Sequence, residues 1–110
     1  MITVRTEEGL QHRIQGFTIC GHANYQEGPE EYDIVCASVS AVSLTAAVGL
    51  RDVLKRHGIY HTRPGKLEVH LQDEPDRETE AVIRTMLAGI AEIQKQFPRR
   101  IQVENQCRKR

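Results

Sequence analysis

The stretch DIVCASVSAVSLTAAVGLRDVLKRHG, residues 33–58, decides the fold. Asp33 is a good N-cap, and the 17 residues from Ile34 to Leu50 carry no charge. Lys55, Arg56 and His57, followed by Gly58, give the cations and glycine that close a helix. The segment therefore reads as a helix buried on most of its surface. Ala37, Ser38, Ser40, Ala41, Ser43, Ala46, Ala47 and Gly49 are all small, so a second helix, or a sheet from a partner subunit, could approach very closely. Five of the 17 uncharged residues are Ser, Thr or Gly, and the run is shorter than the ~20 apolar residues of a bilayer span. No membrane segment is expected.

Working outward, Ile2 and Val4 alternate with polar neighbours until Glu7-Glu8-Gly9 breaks the run, as in an opening strand and turn. Residues 10–20 read as the returning strand of a hairpin. Its alternation changes phase around Gly16, the mark of a bulge or bend. GHANYQEGPEEYD, residues 21–33, has Gly28-Pro29 and almost no apolar content, so it is a loop. After the helix, His57 and His61 flank a turn near Gly65. KLEVHLQ, residues 66–72, then alternates Leu67, Val69 and Leu71 as a strand with one wet face. Asp73 to Glu78, with Pro75, opens a second helix. Its Val82, Ile83, Met86, Leu87, Ile90, Ile93 and Phe97 recur at steps of three and four until Pro98. Ile101 and Val103 form a last short strand before the polar tail NQCRKR. The expected fold is α+β: a two-layer sandwich of two helices on a mainly antiparallel four-stranded sheet, in the order β-β-α-β-α-β. No linker divides residues 1–110, which read as a single domain.

Composition narrows the function. Apolar residues make up 39% and charged residues 27%, which excludes a disordered tail, a collagen-like fibre and a disulfide-dense toxin. Fifteen basic residues balance fifteen acidic ones, so direct nucleic-acid binding through phosphate neutralisation is not expected. The basic pair Arg99-Arg100 and the end Arg108-Lys109-Arg110 read as solvated charge. The odd cysteine count (Cys20, Cys36, Cys107), with no apolar leader at the start, points to free thiols and a cytoplasmic setting.

Two short strings stand out: Gly21-His22-Ala23 and Asp33-Ile34-Val35-Cys36-Ala37. With Asp33 as N-cap, Cys36 falls in the first helical turn, where backbone N–H groups and the helix dipole favour a thiolate. The dipole supplies at most ~2 kcal/mol, about a thirtyfold gain in thiolate, so further activation needs a nearby imidazolium. His22 ends the preceding strand, and the loop folds back to the helix start. A thiolate paired with an imidazole at a helix N-terminus is a working cysteine nucleophile, and the same N–H groups, that of Cys36 included, could hold an oxyanion. Core packing is the ordinary fate of a lone cysteine, and a satisfied strand-end role that of a lone histidine. Their conjunction favours chemistry.

MITV at residues 1–4, GHA at 21–23, DIVCASVSA at 33–41 and TML at 85–87 together resemble the ribosomal-processing cysteine protease family, Prp. GHA and DIVCA, in this order and spacing, carry the resemblance. It implies a cysteine endopeptidase that removes the N-terminal extension of a large-subunit ribosomal protein, number twenty-seven, from its precursor. It assigns a catalytic dyad to His22 and Cys36, and implies a homodimer, no cofactor and a mobile substrate loop at residues 24–32. That loop, which includes Asn24, Tyr25, Glu27, Gly28, Glu30 and Glu31, is slightly longer than the family's and has Asn24 where an acid is frequent. Its three glutamates are expected to attract the basic mature end of the substrate or simply to keep the loop soluble.

Asp33 either orients His22 or caps the helix; as an anion beside the thiol it disfavours the thiolate, which argues for the cap. Ser40, one turn after Cys36, either lines the site or bonds a backbone carbonyl. Cys20, His22 and Cys36 raise a zinc alternative, but their spacing lacks the paired ligands of common zinc sites and a fourth ligand, so no metal is expected. The rival to the protease is a non-catalytic ribosome-associated module with Cys36 packed in the core.

Overall fold

The computed structural model describes residues 1–22 and 33–107, with side-chain surroundings given as far as residue 104. The segment 23–32, which contains Asn24, Tyr25, Glu27, Gly28, Glu30 and Glu31, lies outside the described residues, as do residues 108–110. Strand β1 (Ile2–Glu8) and strand β2 (Ile14–Gly21) form the opening hairpin, joined through a single turn of 3-10 helix at Leu10–His12. The register slips between Glu7, opposite Gly16, and Glu8, opposite Ile14, which leaves Gln15 as the extra residue of the expected bulge. Gln15 secures it by donating from its side-chain amide to the Leu71 carbonyl.

Helix α1 (Ile34–Val48) follows, and widens into a π-helical turn over Gly49–Val53. The helix stop differs from expectation: Lys55 takes the left-handed conformation (φ 57°), and Gly58 begins a strand instead of ending the helix. That strand, β3 (Gly58–Arg63), pairs with β4 (Lys66–Leu71) across the two-residue turn Pro64-Gly65. Among the described residues the sheet therefore has five strands, in the order β3-β4-β2-β1-β5, and the element order is β-β-α-β-β-α-β. GIYHTR was legible only as a turn because an edge strand needs little apolar content: within it only Tyr60 packs against the core.

Helix α2 (Arg77–Gln96) begins one residue after Asp76, whose carboxylate accepts from the Glu78 and Thr79 amides while the Thr79 hydroxyl accepts from the Asp76 N–H. Pro75 thus precedes the cap, outside the first turn where the sequence put it. Strand β5 (Ile101–Cys107) runs parallel to β1 over its whole length, further into the polar tail than the short strand expected. The remaining strand pairs are antiparallel.

Both helices cover one face of the sheet. Val4, Phe17, Val69, Val35, Leu50, Ile83 and Ile90 are fully buried between the layers, and α2 meets the sheet with its one apolar stripe. Helix α1 is different. It is apolar all round, yet only Val35, Val39, Ser43, Ala46 and Ala47 of its residues are buried. Continuous with its π-helical turn it reaches 20 residues, more than the uncharged run alone, and by length and composition such a helix could cross a membrane. Here its buried face packs on the sheet.

Candidate active site

Asp33 caps α1 as expected: one carboxylate oxygen accepts from the amides of Val35 (3.0 Å) and Cys36 (3.1 Å). This sets Cys36 in the first turn, half-buried against the core edge. The cap also occupies donors that the sequence left free for an oxyanion. The Cys36 N–H is engaged by the Asp33 side chain, and the Ala37 N–H by the Asp33 carbonyl (2.9 Å). An oxyanion seated on the Cys36 N–H requires the carboxylate to swing aside.

His22 reaches the same place from the other layer. Strand β2 ends at Gly21, whose φ of +98° suits glycine and turns the chain so that His22 leaves the sheet. The Gly21 N–H donates to the Gly65 carbonyl (2.9 Å), and the Met1 ammonium donates to the His22 carbonyl (2.6 Å). Gly65 sits at positive φ (+75°) in the β3–β4 turn, and a Cβ there would stand 2.8 Å from His22 Nε2. The imidazole therefore lies against the bare face of Gly65, and any larger residue would push it away.

His22 and Cys36 line one cleft of about 150 Å3. Its floor is apolar, from Ile19, Val39 and Leu67, and its rim includes Thr62 and Arg63 of β3. Ser40 lines it too and, unlike Ser38 and Ser43, which donate to the Ile34 and Val39 carbonyls (2.7 Å each), it has no side-chain hydrogen bond among the described residues. Its hydroxyl is left for the cleft. Cys20 does not belong to this group. It pairs with Thr3 and Lys66 on the sheet face away from the helices, so alternation along β2 separates it from His22 once Gly21 turns the chain. Among the described residues no three His, Cys, Asp or Glu side chains come together as a metal would need.

The sequence missed Thr62, Arg63 and the part played by Gly65. The signal was Pro64-Gly65, the usual chemistry of a two-residue turn with glycine at positive φ. Read as a hairpin, it would have brought these residues to the end of the sheet where His22 stands.

A half-buried cysteine capped into a helix start and a histidine line one small cleft. The family model described as cysteine protease Prp matches residues 1–102. The chain belongs to the Prp family of cysteine proteases. Two solved structures of an essential ribosomal processing protease Prp from S. aureus have this fold. One, with a covalently linked product peptide, gives a TM-score of 0.84 at 22% identity, covering 96% of this chain and 100% of that one. The other, with a substrate peptide, gives 0.81 at 21% identity over the same shares. SMU.848 from Streptococcus mutans gives 0.78 at 19% identity, covering 98% of this chain and 96% of that one. No curated protein sequence matches the chain. The α+β sandwich is thus the family's fold, and the protein is a cysteine protease.

Proposed function

We propose that the protein removes the N-terminal extension of a large-subunit ribosomal protein, number twenty-seven, through a dyad of Cys36 and His22. The observation that carries this reading is the shared cleft: a first-turn cysteine and a strand-end histidine line the same small, apolar-floored cavity. The Cys36 sulfur, as thiolate, attacks the scissile carbonyl, and the C–N bond breaks as the tetrahedral intermediate collapses. His22 takes the thiol proton and passes it to the leaving amine; water then hydrolyses the thioester and restores the thiol. Asp33 holds the helix start, and Ser40 offers a hydroxyl to the substrate. The S. aureus relatives, described as ribosomal processing proteases with bound peptides, support the substrate class.

The deciding experiment is incubation with the ribosomal-protein precursor, scored by mass for loss of the extension. Clean removal by the parent, and none by Cys36→Ala, is the expected result. An untouched precursor rejects the assignment.

We also propose that the enzyme works as a homodimer in the cytoplasm, where ribosomal proteins mature and thiols stay reduced. The open apolar groove between α1 and α2, about 650 Å3 with Ala41, Val42, Val82 and Met86 in its walls, supports a second copy there. Val82→Glu is expected to sediment as a monomer where the parent is a dimer.

A further inference from the structure

Strand β3 is an edge of the sheet among the described residues, and its free side has a definite phase. The Gln72 N–H donates to the His57 carbonyl (2.8 Å), directly opposite it in the extended register, and Gly21 on the other flank donates to Gly65. Backbone groups alternate sides along an antiparallel strand. His57, Ile59, His61 and Arg63 therefore direct their N–H and C=O groups to β4, while Gly58, Tyr60 and Thr62 direct theirs outward, away from the sheet. The side chains of Tyr60 and Thr62 point to the helix layer, since they sit opposite Val69 and Leu67, both buried there.

Beside this edge runs a stripe of α1. Cys36, Ser40, Leu44 and Val48 follow one another at four-residue steps, which places them along one helix face. Leu44 and Val48 are exposed at 40% and 43%. Leu44 shares the cleft of His22 and Cys36 with Thr62, and further along, the Tyr60 hydroxyl donates to the Arg56 carbonyl (2.9 Å) just past the π-helical turn. The stripe and the edge thus bound one trough that opens into the cleft of His22 and Cys36. An unpaired ladder beside apolar side chains fits an extended polypeptide: main-chain hydrogen bonds from one wall, alternate side chains against the other.

We infer that the substrate binds as an added strand on the outer edge of β3, its main chain paired with Tyr60 and Thr62 and alternate side chains against Ser40, Leu44 and Val48. This rests on the protease reading and gives it a binding mode. At roughly 3.3 Å per residue, the edge from Gly58 to Thr62 holds about four substrate residues on one side of the scissile bond. Those facing α1 are apolar. Those facing solvent are unconstrained.

The test uses a synthetic peptide of about twelve residues spanning the junction between extension and mature end of the ribosomal-protein precursor, roughly 40 Å when extended. Thr62→Pro removes one outward N–H and leaves the ladder to β4 untouched, because proline is tolerated where an edge N–H faces solvent. Thr62→Val keeps that N–H and the branched shape. In a Cys36→Ala background, Thr62→Pro is expected to bind the peptide about tenfold more weakly than Thr62→Val, read by fluorescence anisotropy. A second arm needs no variant: peptides N-methylated at successive positions should lose cleavage by the parent at every other position along one side of the junction. Equal binding by the two Thr62 variants, or loss without alternation, overturns strand addition while leaving the protease reading intact. A parent that cuts neither peptide nor precursor overturns that reading and this one with it. Conversion of a dimer to a monomer by Thr62→Pro would assign the edge to a second copy and overturn the peptide.

Discussion

The two helices lie on the same sheet and are built on opposite rules. Helix α2 shows one apolar stripe and carries charge elsewhere, with Lys95 bound to Glu92 (2.6 Å) on its outer face and Arg84 to the largely buried Glu80 (2.7 Å). None of its residues lines the cleft of His22 and Cys36. Helix α1 is apolar and small-sided all round, and only about a third of it is buried. The surface that folding leaves uncovered is where the proposed roles lie: on one flank the Cys36–Ser40–Leu44–Val48 stripe beside the cleft, on the other the groove shared with α2. The charged outer surface belongs to α2, and the proposed chemistry to α1 and the strand ends facing it.

The sharpest way to break this comparison is at Cys36. Cys36→Ala is expected to lower kcat/KM by at least ~10³-fold, since the proposed mechanism places bond formation on its sulfur. The fold should remain, because the side chain is small and only half-buried. A melting temperature close to the parent's, with cleavage gone, is the expected pair of readings. A comparable loss of cleavage from an outward residue of α2 would erase the distinction. His22→Ala should follow, with a loss of about 10²–10⁴-fold and slower alkylation of Cys36 near neutral pH. Cys20, on the far face of the sheet, serves as the internal standard.

Gly65→Ala sharpens the argument from the other layer. The added methyl meets His22 Nε2 and is strained at positive φ, so both effects act on the imidazole's position. A loss of activity of about tenfold is expected, with a stability cost of roughly 1 kcal/mol. The informative reading is the split: kcat should fall more than stability alone explains. If activity merely tracks the folded fraction, Gly65 supports the turn and not the histidine.

Legibility followed locality. Helix α2, its stripe and its acidic start could be read because both lie within one continuous segment. Cys36 and Asp33 were legible for the same reason, and His22 through its string with Gly21. Thr62, Arg63 and the cradle at Gly65 were not. They come from an edge hairpin whose apolar content is too low to show a period, and only the register of β3 on β4, and β4 on β2, brings them to His22. The occupied Cys36 N–H was equally hidden, since residue types do not say that the cap and an oxyanion compete for one donor.

The two caps allow a matched pair of smaller perturbations. Asp33→Ala and Asp76→Ala each remove a side chain that holds two first-turn amides, at an expected cost of about 1 kcal/mol. In a domain of this size that corresponds to a fall of roughly 4–8 °C in melting temperature. Only the Asp33 variant should alter cleavage once both are compared at equal folded fraction, because only its amides adjoin Cys36, the proposed nucleophile. Equal effects on activity would mean that helix stability, not the donors at Cys36, is what the assay sees.

The smallest effect is Asp76→Asn, because asparagine caps almost as well as aspartate. What it removes is charge. The Asp76 carboxyl is held below its usual range, first by the Thr79 amide, with Arg56 (2.7 Å away) and the Glu78 amide adding to it against a smaller opposing effect of burial. A carboxyl whose folded pKa is depressed contributes stability above its unfolded value, near 4, and loses it as pH falls through the folded value. Asp76 is two-fifths exposed, so solvent screens the pair and the neutral-pH loss should stay between ~0.2 and 1 kcal/mol. Melting curves from pH 7 to pH 2 should show the parent and Asp76→Asn converging as acid neutralises the aspartate. Asp73 and Glu68, also held low by His57 and Lys66, remain in both proteins and keep a common acid limb. A gap that stayed constant down to pH 2 would mean that the aspartate acts through its shape alone, and the α2 start would then owe nothing to Arg56.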